Sequence, residues 1–124
     1  MYNNRVIYNS TKKKPVAALA VRADGFFSRL RGLMFKKFFP ADEALAISPC
    51  SAIHTFFMRF PIDAAFVGRD GTVLRVARNI RPWRLAGPVA KARMVIEMAA
   101  GSLGEDVIVE GDVISMEAKR DDLA

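Results

Sequence analysis

The 124-residue chain has one cysteine, one histidine, one tryptophan and two tyrosines. A lone cysteine rules out an intramolecular disulfide and gives no sign of an oxidising compartment. One Cys and one His also fall short of the four ligands a structural zinc site needs. No apolar run approaches the ~20 residues of a membrane-spanning helix. Val16-Ala-Ala-Leu-Ala-Val21 follows Lys12-Lys13-Lys14 in the order of a secretion signal, but Arg22 and Asp24 close it. The run is shorter than the roughly 7–15 apolar residues such a signal uses. A buried strand and a cytoplasmic location are the expectation. There is no internal repeat and no low-complexity segment.

What is present suffices for a folded domain. Hydrophobic residues make up 52% of the chain and charged residues 26%, a balance that argues against disorder. A chain of this length buries roughly two-thirds of its unfolded surface. One domain over residues 1–124 is expected, with 1–15 and 118–124 loosely ordered. The net charge of +6 is uneven: up to Val95 the chain carries 17 of its 19 basic and 5 of its 13 acidic residues. A basic surface of that kind suits a nucleic acid or an acidic partner, or is simply a solvated face.

Short apolar segments separated by turn residues dominate the pattern. Arg5–Tyr8, Val16–Val21, Ala44–Ile47, Thr55–Phe60, Ile62–Val67, Thr72–Ala77, Ala92–Met98, Val107–Val109 and Val113–Met116 read as strands. Gly68-Arg-Asp-Gly71 is the clearest hairpin turn, because Asp-Gly accepts the positive φ angles such turns require. Asp24 is the expected N-cap of one principal helix over about 24–35, with Phe26, Phe27, Leu30, Leu33 and Met34 on its apolar face. Gly101–Asp106 is expected to add a helical turn. Without βαβ alternation, this predicts an α+β domain that is mainly antiparallel β. A small closed or half-open barrel would shield the many strand edges.

Three segments resemble, in order and spacing, the bacterial and archaeal domain-of-unknown-function family numbered one hundred and ninety-two. They are Arg31-Gly-Leu-Met-Phe35, the block from His54 through Pro61-Ile-Asp63 to Phe66 with its Asp70-Gly71 turn, and Val95-Ile-Glu-Met-Ala-Ala-Gly101 leading to Glu110-Gly-Asp112. The likeness runs from about Val16 to Ser115. Many relatives have Glu-Gly-Met where this chain has Glu43-Ala-Leu45, and Ser-Phe-Trp-Met in the region of His54-Thr-Phe-Phe-Met58. The family has no assigned activity, so the resemblance implies a fold and leaves function to the residues.

Cys50-Ser-Ala-Ile-His54-Thr-Phe-Phe-Met58 holds the sole cysteine and the sole histidine. With Asp63 they offer a metal ligand set completed by water or a second subunit, or a nucleophile, base and orienting carboxylate. No cysteine-enzyme signature surrounds them. The structural alternative is a small buried Cys50 and a hydrogen-bonded His54 at a strand entrance. Asp63, between Ile62 and Ala64, is costly to bury without a partner. Arg31 is the expected partner, through a bidentate guanidinium–carboxylate contact, and a solvent-facing Asp63 is the alternative.

Arg75, Arg78, Arg81, Trp83, Arg84, Lys91 and Arg93 surround one aromatic with cations. A surface for single-stranded nucleic acid has that composition, although no RRM, KH or helix-turn-helix pattern accompanies it. The expected function is a small soluble binding or accessory module rather than an enzyme. Its groove would lie around His54, Phe57, Met58 and Trp83, its partner would be a small molecule or a protein, and it would need no cofactor.

Overall fold

The computed structural model describes residues 5–23, 40 and 42–118 of the chain. Among them are nine strands and no helix: β1 (Arg5–Asn9), β2 (Lys14–Ala23), β3 (Glu43–Ile47), β4 (Ile53–His54), β5 (Ile62–Gly68), β6 (Val73–Ile80), β7 (Leu85–Ala86), β8 (Ala92–Ala99) and β9 (Ile114–Ala118). The α+β expectation is thus corrected to an all-β fold for the described residues. The helix expected over 24–35 lies outside them.

Two smaller expectations also fail, because side chains take the backbone groups that regular structure would use. Gly101–Asp106 forms turns rather than helix, since the N–H groups of Gly101 and Leu103 donate to the Asp63 carboxylate. Val107–Val109 is not a strand: Val107 and Ile108 carbonyls accept from Asn9 Nδ2 and Arg78 Nη2, and Val109 N–H donates to Asp112.

Seven strands make one sheet in the order β6-β5-β8-β3-β2-β1-β9, and β4 pairs with β7 in a separate ribbon. Only β2 and β3 run parallel among these pairs. The large sheet curls until its two edge strands meet at one end. There the Asp70-Gly71 turn before β6 reaches the start of β9: Thr72 bridges to Val113, and Ile114 N–H donates to Gly71 O at 2.9 Å. Gly71 is required twice at this junction. Its φ is +89°, and a Cβ there would stand 2.6 Å from Ile114 O. The expected barrel therefore exists in its half-open form, with the sheet edges protected where they touch.

Burial on both faces explains why β5 reads as a continuous apolar run. Ala65 and Val67 join Ile7, Val16, Val73, Ile96, Met98 and Ile114 inside the curl. Ile62, Ala64 and Phe66 join Ile47 and Val95 on the outer face. The open side of the half-barrel is filled by residues 101–112, whose Leu103 and Ile108 are fully buried in the inner cluster. Arg78 on β6 clasps this segment, donating from Nε to Leu103 O at 2.6 Å and from Nη2 to Ile108 O at 2.8 Å.

Candidate functional site

A second layer covers part of the outer sheet face. Cys50, Ile53, Met58, Phe60, Ala86 and Val89 pack down onto Ile47, Ile62, Ala64, Phe66 and Val95. The layer is held together by the β4–β7 ribbon, in which Ile53 pairs with Ala86 and His54 with Leu85. Gly87 lets its two halves approach, since a Cβ there would lie 2.6 Å from Ser51 O.

Thr55 locks the layer's outer turns side by side, and this is why the expected strand over Thr55–Phe60 does not form and β4 ends at His54. Its N–H donates to Arg84 O at 2.9 Å, and its carbonyl accepts from Trp83 N–H at 3.0 Å and Met58 N–H at 3.2 Å. Its hydroxyl donates to Arg81 O at 2.6 Å and accepts from Arg84 N–H at 2.9 Å. Thr55 is itself fully buried. Replacing it by Val removes both hydroxyl bonds while keeping the shape. The expected outcome is a loss of about 1–3 kcal/mol in urea denaturation together with a lower fluorescence anisotropy of Trp83, the sole tryptophan.

The locked turns carry aromatic rings outward. Phe57 and Trp83 meet with ring centroids 4.7 Å apart, Phe56 lies 5.7 Å from Trp83, and His54 lies 5.0 Å from Phe56. Phe57 and Trp83 have φ angles of +67° and +65°. A left-handed backbone costs a non-glycine residue roughly 1–2 kcal/mol. Both rings remain about half in solvent, Phe57 at 48% and Trp83 at 56% exposure, beside Leu85 at 74%. Arg59, Arg81 and Arg84 are exposed around them, and among the described residues none of the three forms a salt bridge.

The residues singled out in the sequence separate into three environments. His54, Phe57 and Trp83 belong to this surface, whereas Met58 is buried beneath it at 5% exposure and serves packing. Cys50 lies in the second layer, its thiol donating to Ala52 O at 3.0 Å. His54 Nδ1 accepts from Phe56 N–H at 3.2 Å.

Asp63 points into the barrel interior at 1% exposure. It accepts from the N–H groups of Asn79 at 2.8 Å and of Gly101 and Leu103 at 2.9 Å each. These three donors account for its burial; Arg31, the partner expected from the sequence, lies outside the described residues. No described hydrogen bond joins any two of Cys50, His54 and Asp63, and among the described residues no three His, Cys, Asp or Glu side chains are grouped to hold a metal ion. The cations gathered in the sequence also part company. Arg75, Arg81 and Arg84 line one groove, Lys91 and Arg93 line another beside Leu74, and Arg78 is engaged with the 101–112 segment.

Glu97 escaped the sequence reading. It sits on β8 opposite Leu45 of β3 and Ala64 of β5, is 2% exposed, and among the described residues its Oε1 has no hydrogen-bond partner. Burial pushes its pKa up from 4.5 to about 8. Strict alternation with Met94, Ile96 and Met98 assigns it to the opposite sheet face, where a carboxylate is ordinarily solvated. The second layer on that face is a tertiary feature with no local signal.

Comparison with known proteins gives a fold and a family. A solved structure from Sinorhizobium meliloti, proposed to be a transcription regulator, superposes with a TM-score of 0.80 at 17% identity, covering 94% of each chain. One of unknown function from Novosphingobium aromaticivorans gives 0.77 at 19% identity, covering 92% of this chain and 84% of that one. A UPF0127 protein of Thermococcus sibiricus is 32% identical over 124 residues, covering 94% of this chain and 77% of the relative. Among the described residues no helix is long and apolar enough to cross a membrane. The profile of DUF192, described as an uncharacterized ACR, COG1430, matches residues 7–116, and the chain belongs to that family, whose function is unknown.

Proposed function

We propose that the protein is a binding module whose contact surface is the Phe57–Trp83 pair, flanked by His54 and Phe56, and whose ligand presents a flat ring face. The carrying observation is that two aromatic residues keep unfavourable left-handed backbones and yet expose their rings. Strain of this sort collects at sites where geometry serves a ligand rather than the core. The Thr55 bonds support the same reading, because they hold both turns ready and reduce the ordering cost of binding. An apolar face between guanidinium groups suits a planar ring better than an aliphatic chain.

The single tryptophan makes the test direct, since all indole emission comes from Trp83. Adenosine and cellobiose serve as neutral probes, one with an aromatic ring and one with pyranose faces. A saturable shift in emission with either probe, reduced in Phe57→Ala, is the expected result. Emission indifferent to both up to millimolar concentration refutes the proposal. A companion measurement reads the strain: Phe57→Gly should be more stable than Phe57→Ala by roughly 1 kcal/mol, while both weaken probe binding. A glycine variant less stable than the alanine one would mean that the backbone at Phe57 carries no strain.

A further inference from the structure

The arginines beside Trp83 also wall a groove. This groove of about 570 Å³ is lined by Arg75, Ala77 and Ile80 of β6 and by Arg81, Arg84, Leu85 and Ala86 beyond it. Arg75 is partly engaged, because its charge helps hold the Glu110 carboxyl below its ordinary pKa, after the hydrogen bond from Val76 N–H and with Arg78. Arg81 and Arg84 have no acidic counterpart among the described residues. Arg84 Nη1 reaches just the carbonyls of Pro82 and Trp83, at 3.4 and 3.5 Å, the outer limit of a hydrogen bond.

Thr55 fixes the backbone on both sides of Trp83 through Arg81 O and Arg84 N–H. Two like charges are thereby kept on one short rigid turn, a repulsion that an anion between them would relieve. Guanidinium forks match the oxygens of a phosphate in geometry as well as charge.

We infer that this groove is the anion subsite of the aromatic surface and takes the phosphomonoester group of a small ligand whose ring lies on Trp83, the chemistry of a nucleoside monophosphate. The inference rests on the reading of Phe57 and Trp83 as a contact surface. The layout favours a small ligand over a nucleic-acid strand. A strand needs a continuous cationic track with stacking platforms along it. Here Lys91 and Arg93 line a separate recess with Arg69, and Arg78 is committed to the Leu103 and Ile108 carbonyls.

The test follows Trp83 emission during titration with adenosine, AMP, inorganic phosphate and a short oligo(dT) strand. AMP is expected to bind at least about tenfold more tightly than adenosine at low ionic strength, with the gap closing as salt screens the exposed charges. Inorganic phosphate should compete with AMP. In an Arg81→Gln/Arg84→Gln double variant, whose folding is checked by its denaturation midpoint, the affinities for AMP and adenosine should converge. Equal binding of AMP and adenosine by the unmodified protein overturns the anion subsite and leaves the contact surface standing. Silence toward both overturns the inference, and silence toward cellobiose as well overturns the contact surface with it. Binding of the strand without binding of AMP overturns the small-ligand assignment.

Discussion

Replacing Glu97 by Gln should remove most of the alkaline loss of stability of this protein. In the native state the Glu97 carboxyl titrates at about 8 instead of 4.5, because burial disfavours its charged form. Below about pH 4.5 the group is protonated in both states and costs nothing. As the pH rises further, the unfolded chain releases the proton while the native protein keeps it, so the native state binds more protons and stability falls. The fall continues to about pH 8 and is then complete. At ~1.4 kcal/mol per pKa unit, the window is worth roughly 5 kcal/mol, a large share of the 5–15 kcal/mol typical of a domain.

Urea denaturation midpoints at about pH 5, 7 and 9 measure it. The unmodified protein should lose several kcal/mol across that range, and Glu97→Gln should run nearly flat. Parallel curves for the two proteins would mean that Glu97 is not the group responsible. The sign also distinguishes it from the common buried carboxylate, which is stabilised by a partner and fails in acid.

Asp63 is buried with three N–H donors around it, and its removal should be the most damaging single change in the described fold. Asp63→Ala leaves the N–H groups of Asn79, Gly101 and Leu103 without their acceptor, that of Leu103 inside the protein and the other two partly exposed. An unsatisfied buried donor costs about 1–3 kcal/mol and a partly exposed one less, so a loss of about 3 kcal/mol is expected. Asp63→Asn keeps one acceptor oxygen but turns an NH2 toward N–H donors, so it should recover only part of the loss. Native-state hydrogen exchange supplies the specific readout, because those three amides should lose protection before the amides of β5. A cost for Asp63→Ala below about 1 kcal/mol would show that water readily replaces the carboxylate.

The two carboxylates show how far local sequence carries. Asp63 announced itself as a charge inside an apolar run, and the need for partners followed from desolvation alone. Its donors did not, because they come from Asn79 on the neighbouring strand and from a turn 38 and 40 residues away along the chain. Glu97 gave no such signal, since a carboxylate in an alternating strand looks solvent-facing. The aromatic surface was half legible. The sequence grouped His54, Phe57 and Trp83, which the structure brings together, but nothing in it distinguished exposed Phe57 from buried Met58. That distinction comes from the left-handed turn at Phe57 and from the Thr55 bonds to residues 26 to 29 positions away.

By itself the sequence determined that this chain is one of short strands with a tight Asp70-Gly71 turn, and that it carries a buried-looking acid at Asp63. These are consequences of hydrophobic period and of turn chemistry, which act within a few residues. Tertiary structure decided the rest: that the sheet curls until Gly71 meets Ile114, that Glu97 is buried, and that Arg81 and Arg84 rather than all the clustered cations stand beside the exposed rings. Each depends on contacts between distant segments, whose free energy is realised only when the whole sheet closes, so no local pattern encodes it.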